Sequence, residues 1–153
     1  MNLDKTDRKL LSVLQAQGRI SINDLATEVG LSATPCTRRL KRLEDTGVIT
    51  GYSARLDQTA LGLDLTAIVG ITMDRHTPER FENFEQHIVD FEEVIECSIV
   101  TGQSADYLVK VVVSDMQHFE EFLLKKLSRI EGVTGLHSSF VLRKVIDHSQ
   151  LPV

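Results

Sequence analysis

The sequence predicts an α+β protein, with a (winged) helix-turn-helix of three helices followed by a βαββαβ domain of the ferredoxin-like class. Residues 1–50 have helical apolar spacing and glycine-containing turns. Beyond residue 60, apolar strands alternate with amphipathic helices, and the balance of charge changes sign. We therefore expect a helix-turn-helix domain at 1–50, an extended linker at 51–62 and the βαββαβ domain at 63–153.

The first two helices are predicted from their end signals and apolar spacing. The first covers about 4–17 and ends near Gly18. The second begins after Ser21, which together with Asp24 resembles a capping box, and ends at Gly30, because glycine accepts the left-handed conformation. Two short helices joined by a glycine-containing turn are typical of a helix-turn-helix.

The third helix has two chemically different faces. Ser32 is the predicted N-cap, Pro35 fits the first turn, and Gly47 ends the helix. A strand-like stretch over 48–56 then predicts a short wing. At about 100° per residue, the apolar positions fall on one side of the helix and the basic positions on the other. The apolar positions are Cys36, Leu40 and Leu43.

The basic side suits the groove of double-stranded DNA, although a solvated surface face is the alternative interpretation. Arg39 lies on the flank between the two sides, where a structural ion pair is at least as plausible as a phosphate contact. The residues that we predict to bind DNA are Ser32, Thr34, Thr37, Arg38, Lys41 and Arg42.

Charge segregation favours the DNA interpretation. Residues 1–55 contain nine Lys or Arg and six Asp or Glu, a net charge of +3. Residues 56–153 contain eight and sixteen, a net charge of −8. Because salt screens charges over about 8 Å, the local basic patch matters more than the distant acidic total.

Composition excludes several other classes. The hydrophobic share of 42% and the charged share of 25% are typical of a soluble globular protein, and no apolar run reaches the roughly 20 residues that span a bilayer. The charged N-terminus lacks a signal core. The two cysteines form no CxxC, and the histidines have no ligand spacing. We expect no metal, no cofactor, no membrane partner and a cytoplasmic location.

The second domain is predicted from alternating apolar strands and capped helices. A sheet with both helices on one face leaves Phe, Val and Leu on its other face, which predicts a homodimer. The predicted elements are a strand over 65–73, a helix begun by Thr77-Pro78-Glu79, strands over 94–101 and 107–113, a helix capped by Asp115 and ended by Gly132, and a strand over 133–146.

The string LSATPCTRRLKRLEDTGVITGY resembles the helix-turn-helix signature of the Lrp/AsnC, or feast/famine, family of bacterial and archaeal regulators, and LDKTDRKLLSVLQAQGRIS resembles its first helix. The resemblance implies that the second domain is a RAM module, which pairs sheet to sheet into dimers. In this family the dimers commonly assemble into octamers, with an amino acid bound between dimers.

The family's ligand loop usually reads T/S-G-x-x-D-Y. This chain matches it at Thr101, Gly102, Asp106 and Tyr107, with one extra residue between the glycine and the aspartate. On the last strand, Ser138 and Ser139 resemble positions lining the same interface. These six residues are the expected effector site. The alternatives are a hairpin turn capped by Asp106 and ordinary strand polarity.

The sequence thus predicts a sequence-specific DNA-binding transcriptional regulator that responds to an amino acid or related metabolite. The alternative is an architectural nucleoid protein that compacts DNA without an effector. An enzyme is the least supported class, because no pair of titratable residues has catalytic spacing.

Overall fold

The computed structural model describes residues 2–102, 104–147 and 150–153, and it contains two compact units. The first unit comprises the chain up to Arg55 and the C-terminal residues from Ile146, and the second comprises Leu56–Val145. Three helices come first, followed by elements in the order βαββαβ. The predicted α+β class and element order are therefore confirmed.

The first unit is a three-helix cluster around one small apolar core. Leu10, Leu25 and Leu43, one from each helix, are fully buried in it. The helices are α1 Lys5–Ala16, α2 Ile22–Val29 and α3 Ala33–Asp45.

Side-chain caps fix the starts of α1 and α2. Asp4 accepts the backbone N–H of Asp7 at 2.8 Å, and Asp7 accepts the backbone N–H of Asp4 at 3.2 Å, so this pair forms a capping box. Ser21 caps α2 as predicted, accepting the N–H of Asp24 at 3.1 Å. Gly30 ends α2 in the left-handed conformation, with φ of 75°.

The start of α3 matches the prediction, whereas the stretch after its end does not. Ser32 is the N-cap residue, with extended backbone, although its hydroxyl makes no capping hydrogen bond. The stretch 48–56 forms no wing strand. Its backbone turns back onto the helix instead: the N–H groups of Val48 and Ile49 both donate to the carbonyl of Leu43 at 3.0 Å. Two donors of the expected strand are thus satisfied at the end of α3.

The C-terminal residues belong to the first unit and bind α1. The backbone N–H of Leu151 donates to Oε1 of Gln15 at 2.6 Å, and Nε2 of Gln15 donates to the carbonyl of Leu151 at 3.0 Å. Arg55 donates to the carbonyl of Asp147 at 2.6 Å. This segment therefore adds to the surface of the helix-turn-helix unit.

The second unit is an antiparallel four-stranded sheet that shares a core with two helices. Its elements are β1 Leu65–Met73, α4 Pro78–Ile88, β2 Val94–Ile99, β3 Tyr107–Val113, α5 Met116–Lys125 and β4 Val133–Phe140. The strand order is β2-β3-β1-β4. Asp115 caps α5 as predicted, accepting the N–H of His118 at 2.9 Å, whereas the side chain of Thr77 makes no capping bond to α4.

Three boundaries differ from the prediction. Strand β2 ends two residues early, helix α5 ends at Lys125 and is followed by a 3-10 turn, and β4 ends at Phe140 rather than at 146. The pairing of β4 with β1 ends with Phe140 opposite Ala67, and one further hydrogen bond follows, from the N–H of Val141 to the carbonyl of Thr66 at 2.9 Å.

The sheet face opposite the helices carries the predicted apolar residues, with one correction. Ile68, Leu108 and Val112 alternate away from the helix-packed core, and we call this side the open face. Phe140, by contrast, lies on the helix side and packs edge-on against Phe119, with ring centroids 5.2 Å apart. Val112 is already buried, at 7% exposure, and Lys110 lies opposite Ile68. The open face therefore offers a partner the partly exposed Ile68 and Leu108 beside a lysine, rather than an aromatic surface.

Candidate DNA-binding surface and effector loop

The six residues predicted to bind DNA are all exposed. Thr34, Arg38 and Lys41 follow the spacing that places helical residues on one face, so they form a single outward stripe on α3. Thr37 also donates its hydroxyl to the carbonyl of Ala33 at 2.9 Å. Its oxygen can still accept a hydrogen bond, but its proton is used within the helix.

The basic residues of α3 divide into two functional pairs. Arg39 binds Asp4 and Asp7 at 2.6 and 2.8 Å, which is the structural ion pair considered for it. Arg42 also reaches Asp7, at 2.6 Å, although it was placed in the DNA-binding set. The side chain of Arg42 remains 47% exposed, so its guanidinium is shared between α1 and the solvent side.

Arg38 and Lys41 form the second pair. Across the described ranges, neither side chain has an ion-pair or hydrogen-bond partner within the protein. Together with Arg39, Arg42 and Asp45 they line a shallow depression on the outer side of α3. This is the surface on which an external anion, such as a DNA phosphate, can meet uncommitted cations.

Shifted pKa values in this unit favour a charged Asp4 and a neutral Tyr52 at physiological pH. The backbone N–H of Asp7 and the guanidinium of Arg39 hold the pKa of the Asp4 carboxyl below its usual range. Burial and the neighbouring Glu44 raise the pKa of Tyr52 to about 12, and its hydroxyl donates to Glu44 at 2.8 Å. A neutral tyrosine therefore ties the segment after α3 back to that helix at physiological pH.

The predicted effector loop is organised around Asp106. Its Oδ2 accepts the backbone N–H of Met73 at 2.7 Å, and its Oδ1 lies 2.7 Å from Nε2 of His76. Thr101 is exposed, and Gly102 has φ of 80°, a conformation that glycine adopts without strain. Asp106 thus closes the loop against the end of β1 through Oδ2, while its Oδ1 contacts the exposed side chain of His76.

The other predicted effector residues do not share one surface. Tyr107 is only 1% exposed, and its hydroxyl donates to Glu85 at 2.8 Å on the helix side of the sheet. Burial and the Glu85 carboxylate raise the pKa of Tyr107 well above its usual range. Ser138 pairs with core-facing Val69, whereas Ser139 pairs with Ile68 of the open face.

The open face brings together residues that the sequence analysis missed. A Cβ built on Gly70 would lie 3.3 Å from the Cβ of Ala105, so the loop before β3 rests on the space that this glycine leaves. Thr72 donates to the carbonyl of Ser104 at 3.2 Å, and His137 lies opposite Gly70. His76 is thirty positions from Asp106 in the sequence, and no motif connects them.

A helix-turn-helix with a cationic third helix, joined to a second domain of antiparallel sheet and helices with a polar loop, defines a two-domain DNA-binding regulator. Comparison with known proteins gives the family. Residues 3–50 match the winged helix-turn-helix DNA-binding family, and residues 66–151 match the Lrp/AsnC ligand binding domain. The chain belongs to the Lrp/AsnC family of transcriptional regulators, so the predicted family is confirmed.

Relatives match this chain over nearly its whole length, both in sequence and in structure. The Bkd operon transcriptional regulator of Pseudomonas aeruginosa is 41% identical over 151 residues, covering 99% of this chain and 98% of its own. A Neisseria meningitidis transcriptional regulator solved with L-methionine has a TM-score of 0.94 at 38% identity, covering 99% and 97%. The Mycobacterium tuberculosis feast or famine regulatory protein solved with L-methionine has a TM-score of 0.87 at 33% identity, covering 98% and 99%.

These findings confirm that the chain is a DNA-binding transcriptional regulator rather than an enzyme. Among the described residues, no helix is both long enough and apolar enough to cross a membrane.

Proposed function

We propose that the protein acts in the cytoplasm as a sequence-specific regulator whose binding to an operator responds to an amino acid or related small metabolite. The observation that carries the proposal is the pair of uncommitted cations, Arg38 and Lys41, on the outer face of the third helix of a helix-turn-helix. In this proposal residues 1–50 bind DNA, 51–62 link the domains, and the rest of the second unit, which ends at Val145, assembles the protein and binds the effector.

The residues of α3 take different roles on DNA. Arg38 has a free planar guanidinium, which suits a guanine edge or a phosphate, and Lys41 supplies a point charge for a phosphate. Arg42 reaches a phosphate with the donors that Asp7 does not use. Ser32, Thr34 and Thr37 lie at the start of the helix, where short hydroxyl side chains approach base edges or backbone.

A homodimer presents two copies of α3 to one operator. The open face supports this assembly, because Ile68 and Leu108 are partly exposed there and lose contact with water when another surface covers them. A two-fold dimer reads two half-sites about one helical turn apart, so the operator is roughly palindromic. Assembly of dimers into an octamer lets one particle hold several turns of DNA.

The effector site combines Thr101, Gly102, Asp106 and Ser139, with Tyr107 and Ser138 supporting it from the helix side. The exposed glycine lets the loop's backbone N–H groups approach a carboxylate, and the Asp106 carboxylate suits an α-ammonium group. The methionine bound by two solved relatives supports an amino acid as the ligand class.

One amino acid should raise the melting temperature of the protein, and Asp106→Asn should abolish the shift. The asparagine oxygen can still accept the Met73 N–H, so the loop stays closed while the charge that would hold an α-ammonium is lost. Differential scanning fluorimetry with each of the twenty amino acids measures both. His76→Gln is the matched control: it removes the imidazole contact to Asp106 but keeps the carboxylate, so the shift should persist.

If no amino acid moves the melting temperature of the wild-type protein, the proposed effector class is wrong, and DNA binding is unaffected by that result. If Asp106→Asn responds as the wild type does, the carboxylate is not part of the site.

A further inference from the structure

We propose that Asp7 is a positioning residue for operator recognition: its buried carboxylate on α1 holds Arg39 and Arg42, so that α3 presents Arg38 and Lys41 to DNA in one orientation. This inference deepens the proposed function and rests on it. Asp7 itself is too buried to touch DNA, because its side chain is 1% exposed, so it acts through the two arginines.

Both oxygens of the carboxylate are committed, each to a different arginine. Oδ1 accepts from Arg39 at 2.8 Å, and Oδ2 accepts from Arg42 at 2.6 Å. Oδ2 also accepts the backbone N–H of Asp4 at 3.2 Å, which fixes the carboxylate at the start of α1. One buried anion therefore joins the first turn of α1 to two successive turns of α3.

The arrangement explains how one short basic run performs two tasks. Arg39 and Arg42 are three residues apart and lie on the same side of the helix, toward α1. Arg38 and Lys41 are also three residues apart, but they are rotated from the first pair by about 100° and point outward. By holding Arg39 and Arg42, Asp7 thus sets the direction in which Arg38 and Lys41 point.

Asp7 also limits sequence-independent binding. Its negative charge offsets part of the charge of two arginines that lie beside the DNA-binding stripe. If residue 7 carries no charge, the guanidinium groups of Arg39 and Arg42 lose that partner and can bind any DNA phosphate. Because phosphate contacts carry no sequence information, added ones strengthen binding to all DNA and weaken selectivity.

The test compares selectivity in full-length wild-type protein, Asp7→Asn and the control Asp24→Asn. Asp24 is an exposed carboxylate in the same unit, so its loss changes the net charge equally without touching α3. The probes are a duplex selected by the wild-type protein from a random-sequence pool and a scrambled duplex of the same length. Fluorescence anisotropy over a salt series gives both affinities and their salt slopes.

We expect Asp7→Asn to lower the ratio of selected to scrambled affinity by about tenfold, and to steepen the salt slope on the scrambled duplex by about one unit. Asp24→Asn should keep the wild-type ratio. An unchanged ratio in Asp7→Asn overturns the inference, and so does an equal fall in Asp24→Asn. A loss on both duplexes in proportion to the unfolded fraction means that Asp7 is only structural, which also overturns it.

A second variant decides the question if Asp7→Asn fails to fold. Arg39→Lys keeps the charge but replaces the planar guanidinium, whose Nη1 donates to both Asp4 and Asp7, so the ratio should fall by several-fold. A wild-type ratio in folded Arg39→Lys would overturn the inference. Failure of the proposed function is seen separately, because the wild-type protein would then select no sequence over the scrambled duplex.

Discussion

Replacing Arg38 and Lys41 together by alanine should weaken binding to the operator by at least about 30-fold, because each removed contact is worth about 1–3 kcal/mol. Both residues are exposed on the outer face of α3, so their loss removes DNA contacts without opening the core. We expect the circular dichroism melt to stay at the wild-type temperature. A titration of labelled operator by gel shift measures the affinity.

The control for that variant is Arg8→Ala combined with Lys9→Ala. Arg8 and Lys9 are exposed on α1, and replacing them removes an equal number of positive charges from the same unit. The control should lose only the weak, long-range part of the attraction, which salt screens over about 8 Å. If the control and the α3 variant lose equal affinity, only net charge matters, and α3 is not the recognition helix.

Leu43→Ala should lower the free energy of unfolding of the helix-turn-helix unit by about 2–5 kcal/mol, because it leaves a cavity in a closely packed core. Leu43 is 0% exposed and comes from the helix that carries the DNA-binding residues. A unit of about 60 residues has a total stability of only about 3–9 kcal/mol. The variant should therefore lose most of its DNA-binding activity at 37 °C while retaining every DNA-facing side chain.

Hydrogen exchange followed by peptide mass spectrometry locates this effect. Peptides of α1, α2 and α3 should exchange faster in Leu43→Ala, whereas peptides of the sheet, which have a separate core, should keep wild-type protection. Leu151→Ala makes the same chemical change at a 72% exposed position of the same unit and should change little. Equal loss of protection in the sheet would show that the two cores do not unfold independently.

Elements with strong local signals were predictable from the sequence. The bounds of the strands Leu65–Met73 and Tyr107–Val113 match the prediction, because alternating apolar residues with clear end signals determine them locally. The left-handed end at Gly30 and the caps at Ser21 and Asp115 were equally predictable, since each depends on residues within one turn.

The predictions that failed depend on hydrogen-bond and ion-pair partners outside the predicted element itself. The stretch 48–56 has strand-like residues, but its first N–H groups find the end of α3 instead of another strand. Arg42 lies near the DNA-facing side on a helical wheel, yet only the packing of α1 on α3 reveals that Asp7 holds it. The contact between His76 and Asp106 likewise arises from the meeting of two strand ends.

The central claim is that a selective DNA-reading surface on α3 serves a regulator. Its most direct test is binding of the full-length protein to the DNA upstream of its own gene and to a scrambled duplex of equal length, at physiological salt, with and without each amino acid. The account predicts an affinity for the upstream DNA at least about 1,000-fold above that for the scrambled duplex, and a change in that ratio with one amino acid. Equal affinity for both duplexes would contradict it and would indicate an architectural DNA-compacting protein instead.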